Sequence, residues 1–241
     1  MKIAVYVEGQ TELIFVREFL RKWFDYDPSQ VGFRCYELRS IEPGYPTEYS
    51  FGDENAVRFY TIVNVGCDTR VLSKALDNAP KYQNLGYDRM VVLRDMYSDE
   101  YKKLLAGHVI DSALNARFMT GARKTISNKG FDGFIHSHFA IMEVEAWFLG
   151  MGWYFEKEHS SLTQDNLLSE LDFNLEDDPE EKEFHPAARL KKIYNHIGKD
   201  YDKHAHEVNS IMSKIEKGDF EMLLALGKCE SFRRFKENLT L

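Results

Sequence analysis

Cysteine is scarce in this chain, and what there is does not cluster. Cys35, Cys67 and Cys229 lie far apart and are odd in number. They form no zinc-binding spacing and no disulfide framework, so a reducing cytoplasm is the expected home. No apolar run approaches the roughly 20 residues of a membrane-spanning helix. The first residues lead straight into a strand pattern without a signal-peptide signature, so no membrane association is expected. Glycine-rich phosphate loops are also missing, since Gly9 stands alone after its strand, and there is no serine nucleophile elbow. Positive charge is in deficit: 31 Lys and Arg face 39 Asp and Glu, for a net charge of -8. That excludes a protein that coats nucleic acid through bulk electrostatics. It leaves room for an enzyme that meets nucleic acid through bound divalent ions or a local basic patch.

What is present is a core. The chain has 241 residues, 44% of them hydrophobic and 14% aromatic, enough for a packed globular fold rather than a disordered one. Its opening, Lys2-Ile3-Ala4-Val5-Tyr6-Val7-Glu8-Gly9-Gln10-Thr11-Glu12, joins a short apolar run rich in β-branched residues to a glycine turn and a helix start. Thr11 is the expected cap, with Glu12 in the first turn. Leu13 to Phe24 reads as an amphipathic helix. Strands are expected at Phe33–Leu38, Val57–Val65, Met90–Asp95 and Phe134–Ile141. Ile41 to Asn55 reads as a long irregular loop. Helices are expected after Asp68 or Thr69, from Ser98 to about Phe118, and from Glu143 to Leu149. Gly121 to Asp132 reads as a basic, polar connection.

This alternation predicts an α/β fold with a mainly parallel, Rossmann-like sheet flanked by helices. Residues 1–152 would form that domain. Residues 153–241 would be a helical extension packed on it, with helices at Leu162–Leu171, Ala187–Ile197, His206–Ile215 and Phe220–Leu239.

Acids recur where strands give way to helices: Glu8, Asp95, and the pair Glu143 and Glu145. Parallel strands share a carboxyl edge, where ligands bind in open α/β sheets. Carboxylates gathered there repel one another unless a cation compensates, and a hard divalent ion suits them. Taken singly, each acid is more simply a solvated strand-end or helix-start residue.

Val7-Glu8-Gly9-Gln10-Thr11-Glu12 resembles the opening motif of TOPRIM domains, in particular the branch found in OLD-family nucleases and in bacterial abortive-infection and phage-defence proteins. The resemblance extends loosely over residues 2–150. It implies Mg²⁺ or Mn²⁺ held by Glu8, Glu12 and Asp95, with Glu8 and Asp95 catalytic. Val91 to Asp99 matches the Asp-x-Asp block at Asp95. Tyr97 stands where the second aspartate belongs, so Asp99 is the stand-in. Ile141 to Leu149 resembles a third block, adding Glu143 and Glu145. On one helix these two would point about 200° apart, so one is expected to face the metal, with Glu145 favoured and Glu143 the alternative as a strand-end ligand. Nuclease action on DNA or RNA in prokaryotic defence follows, alongside a partner protein of the same system. A non-catalytic module that binds nucleic acid, a nucleotide or a partner protein is the alternative. A structural subunit is a third reading. Arg94, Arg123 and Lys124 are the candidate phosphate contacts. His136 and His138 share a strand face, where a metal-binding or proton-transfer role competes with the simpler reading as hydrogen-bonded sheet residues, while His204 and His206 are expected in solvent.

Overall fold

The computed structural model describes residues 1–38, 49–105 and 107–241. Its centre is a six-stranded sheet of β1 (Lys2–Val7), β2 (Val31–Glu37), β3 (Tyr49–Phe51), β4 (Arg58–Asn64), β5 (Arg89–Asp95) and β6 (Ile135–Ala140). The spatial order is β3-β2-β4-β1-β5-β6. Neighbours pair in parallel, except that β3 runs antiparallel to β2. β1 sits between β4 and β5, with Val5 opposite Ile62 on one side and Val91 on the other. A strand enclosed on both edges and both faces must be apolar throughout, and Ile3 to Val7 are all fully buried.

Helices cover both faces. On one lie α1 (Gln10–Trp23) and most of the C-terminal helices; on the other lie α2 (Val71–Asn84) and α4 (Ser112–Asn128). Ile3, Val5 and Val7 feed the first core, and Ala4 and Tyr6 feed the second, as the two-residue period of a strand requires.

Several local expectations are corrected. The N-cap of α1 is Gly9, whose N–H donates to the Glu12 carboxylate at 2.8 Å, and Thr11 is buried inside the helix. The helix after β4 begins only at Val71, behind a 3₁₀ turn at Asp68–Arg70, without a side-chain cap. The expected loop at Ile41–Asn55 contains β3, whose Tyr49 and Phe51 stack on Phe33; its residues 41–48 lie outside the described residues. Gly32 lets the chain return closely there, since a Cβ would sit 2.1 Å from the Asp53 carbonyl oxygen.

The long helix from Ser98 is two helices. Ser98 caps α3 (Asp99–Leu104) by accepting from Tyr101 N at 3.2 Å. Gly107, with φ at 95°, interrupts the path. Asp111 then caps α4 by accepting from Leu114 N at 2.9 Å. α4 continues through Gly121 to Asn128, so most of the expected basic connection is helical. One glycine costs only about 1 kcal/mol in a helix, which neighbouring Ala, Arg and Lys residues offset.

The C-terminal part contains α5 (Glu145–Gly150), α6 (Phe155–Glu158), α7 (Gln164–Leu171), α8 (Pro179–Lys182), α9 (Pro186–His196), α10 (Ala205–Lys214), α11 (Lys217–Ala225) and α12 (Glu230–Thr240). The last expected helix is therefore broken, where Gly227 and Cys229 adopt positive φ of 69° and 51°. One apolar cluster runs from the sheet through α1 into α12. Tyr60 of β4 also donates to the Leu239 carbonyl at 2.7 Å. Among the described residues, no helix is long and apolar enough to cross a membrane.

Trp147 occupies the middle of this junction. Its ring meets Phe15, Phe232 and Phe235, and its Nε1 donates to Glu180 Oε1 at 3.0 Å and Ser231 Oγ at 2.9 Å. Burial pushes the Glu180 carboxyl up to about 7, although hydrogen bonds from Ser231 and Trp147 oppose it. The folded state therefore holds this proton more tightly than the unfolded chain. Stability falls as pH rises from about 4.5 to about 7, by at most roughly 3 kcal/mol from this group. Glu180→Gln removes that share, so the loss in urea midpoint between pH 5 and pH 8, followed by tryptophan fluorescence, is expected to be smaller than in the parent. An unchanged loss would mean that Glu180 does not titrate in this window.

Candidate functional site

β1, β5 and β6 are consecutive in the sheet, so their carboxyl ends are adjacent. Leu93 pairs with Val7, and Asp95 pairs with Ala140. Glu8 follows β1, and its Oε2 accepts from Asp95 N at 3.1 Å. Asp95 ends β5, and its Oδ1 accepts from Val144 N at 2.9 Å. After β6 the chain turns through Met142, held at φ 61°, so Glu143 and Glu145 point back at Asp95. Donor oxygens of Asp95, Glu143 and Glu145 all lie within 4.8 Å of one another. Glu143 precedes α5, which begins at Glu145, so the helical-wheel separation does not apply and Glu143 approaches from the turn after β6, as its alternative reading as a strand-end ligand expects. Both reach the cluster.

Lys203 was not singled out by the sequence. It lies between α9 and α10, and its Nζ donates to Glu143 Oε1 at 3.0 Å and Glu145 Oε2 at 3.1 Å. Tyr201, two residues earlier, donates to Glu145 Oε1 at 2.8 Å. Lys203 has φ at 61°, a left-handed conformation that costs energy in a non-glycine residue. No local pattern separates this lysine from others in polar linkers, so only the return of the chain to the sheet edge reveals it.

The electrostatics show too little positive charge for so many acids. Burial, then repulsion from Glu8 and Glu145, pushes the Glu12 carboxyl up to about 7. Burial, followed by Glu12, raises Asp95 well above the usual carboxylate range, against the pull of Lys203. Glu145 is fully buried and also raised, mainly by desolvation. Burial alone would lower the Lys203 ammonium; the combined pull of Glu145, Asp95 and Glu143 outweighs it and keeps the group charged.

An oxygen-only donor set of this kind suits a hard divalent cation. Cis ligands on one octahedral Mg²⁺ lie about 3 Å apart and trans ligands about 4.2 Å apart, so the three acids would have to draw closer together before all of them bound a single ion. Lys203 is the competitor that such an ion must displace or accept as a neighbour.

Other sequence candidates lie elsewhere. Asp99 is exposed in the first turn of α3 and pairs with Lys102 at 3.2 Å, so it does not replace the missing second aspartate. Tyr97 packs on Phe184 and His185 instead. Arg94 sits over the Phe139 ring on the sheet face opposite Asp95, because neighbouring strand residues point to opposite faces. Arg123 and Lys124 are exposed on α4, and Arg123 borders a cavity along β6. His136 and His138 face that cavity too. Burial, aided by His136, lowers His138 to about 4, and its Nε2 has no hydrogen-bond partner among the described residues, contrary to expectation. His204 and His206 are exposed, as expected, with their rings stacked.

Compared with known families, residues 7–240 match a family model described as Domain of unknown function (DUF4276). No curated protein and no solved structure matches the chain.

Proposed function

The chain belongs to this DUF4276 family, and on the geometry of its carboxylates we propose that it is a Mg²⁺- or Mn²⁺-dependent, TOPRIM-type nuclease that hydrolyses phosphodiester bonds. The observation that carries this reading is the convergence of Asp95, Glu143 and Glu145 donor atoms within 4.8 Å at the sheet's carboxyl edge. Glu12 and Glu8 lie close enough to raise the charge cost further. In this proposal Asp95, Glu143 and Glu145 hold the cation, and Tyr201 fixes the orientation of Glu145. Glu8 binds beside Asp95 or serves as general acid/base. Glu12, whose carboxylate also accepts from Gly9 N at 2.8 Å, supports the cluster as a further acid. A divalent ion in this position supplies charge stabilisation to the phosphate and acidity to water. The sequence resemblance adds a cytoplasmic setting in prokaryotic defence, DNA or RNA as substrate, and a partner protein.

A second reading is supported by Lys203. Its ammonium already neutralises Glu143 and Glu145, which suits a binding module that never takes up a metal. One experiment separates the two. Single- and double-stranded DNA and RNA are incubated with Mg²⁺ or Mn²⁺, with the parent, Glu8→Gln and Asp95→Asn. Cleavage by the parent is expected, with a loss of about 100-fold or more in both variants, the scale of removing one electrostatic contact to a transition state. Binding that is indifferent to metal, with no cleavage by any variant, would favour the module.

A further inference from the structure

Among the described residues, β6 is the last strand of the sheet and pairs only with β5. The Phe134 and Ala140 carbonyls accept from Met90 N and Met96 N, so even-numbered residues turn their main-chain groups toward β5. Ser137 and Phe139 therefore turn their N–H and C=O groups outward. Among the described residues, no hydrogen bond to these outward groups is present. Two outward residues on a strand are about 6.6 Å apart, the repeat of a β-ladder, and an extended main chain matches it.

Alongside this edge runs a cavity of about 450 Å³. One wall is largely apolar, built from Met119 and Ile126 of α4 with Ile135, Phe139 and Ile141. The other is polar, built from His136 and His138 with Ser231, Arg234 and Asn238 of α12. Side-chain polarity is also unspent on the strand, where Ser137 Oγ and His138 Nε2 are buried without partners among the described residues. The flanking helices recess the edge. A row of outward main-chain groups between one largely apolar wall and one polar wall matches an extended segment with alternating side chains.

We infer that the cleft beside β6 is a docking site for an extended peptide of a partner protein, which adds a seventh strand to the sheet by pairing with Ser137 and Phe139. The peptide alternates apolar and polar side chains, apolar ones against α4 and polar ones against α12. Main-chain pairing supplies affinity, and the two unlike walls fix register and facing. It also caps an open edge that otherwise invites aggregation. This site is independent of the carboxylate cluster and of any activity there.

The test uses the full chain and a panel of capped heptapeptides that alternate threonine with valine, leucine or phenylalanine. Binding is expected from at least one member, with amide exchange at Ser137 and Phe139 slowed at least tenfold. N-methylation of the peptide amides on the edge facing β6 should abolish it. Ser137→Pro removes an outward donor while sparing the ladder to β5, and Met119→Glu charges the apolar wall; each should weaken binding at least tenfold. The proposal is overturned if no panel member binds, or if binding leaves those two amides unprotected. It is also overturned if they become protected with rising protein concentration alone, which would make the occupant a second copy.

Discussion

Lys203→Met is expected to lower the metal-free thermal midpoint by roughly 4–16 °C. Glu145 is fully buried, and Lys203 is its ion-pair partner at 3.1 Å. Removing one member of a buried pair costs about 3–5 kcal/mol. Lys203 keeps some contact with water, so about 2–4 kcal/mol is the better figure, and each kcal/mol moves the midpoint of a chain this size by about 2–4 °C. The loss should shrink in acid, where protonated carboxylates need no counter-charge. Millimolar Mn²⁺ distinguishes the two functional readings. If Asp95, Glu143 and Glu145 take a divalent ion, Mn²⁺ stabilises the variant more than the parent, because its competitor is gone. A ligand at a hundred times its dissociation constant contributes about 2.7 kcal/mol, enough to restore much of the loss. If the lysine is a permanent counter-ion, added Mn²⁺ leaves the parent's midpoint where it was, whatever it does to the variant. Calorimetry with and without Mn²⁺ at two pH values reads all of this.

Trp147→Ala is the second large effect, and it concerns how the chain is divided. The indole is fully buried, with ring centroids 5.1 Å from Phe15, 5.4 Å from Phe232 and 5.5 Å from Phe235. Those rings belong to the first helix and the last. Truncating a buried tryptophan costs about 3–5 kcal/mol, or roughly 6–20 °C in thermal midpoint. Because one core spans α1, α5 and α12, unfolding should remain a single transition, with far-UV circular dichroism and tryptophan fluorescence coinciding. Two separated transitions would instead make residues 153–241 a unit that folds by itself. Trp147→Phe should recover much of the loss, since it refills most of the space while sacrificing the Nε1 bonds to Glu180 and Ser231.

Local pattern carried the first half of the chain well. The largely apolar, β-branched runs within β1, β4 and β5 read as enclosed strands, and the turn at Gly9 led correctly into α1. Boundaries were weaker where a few residues decide them. β3 is three residues long and depends on Phe33 for its packing, so the loop composition around it concealed it. The split between α3 and α4 turns on Gly107, and that between α11 and α12 on Gly227 and Cys229, each a backbone choice that apolar periodicity does not register.

For the candidate site, sequence alone determined that acids stand at the ends of β1, β5 and β6, because a strand's end follows from where its apolar run stops. It could not determine that those three strands are neighbours, since strand order is set by how crossovers pack across the whole sheet. Nor could it provide Lys203 and Tyr201, which reach the acids only after α9 has carried the chain back to the sheet edge. Which carboxylates are buried, and therefore which must share protons or a cation, is a property of that packing. Charge is written in the sequence, whereas the loss of water that makes charge costly is conferred by the tertiary fold.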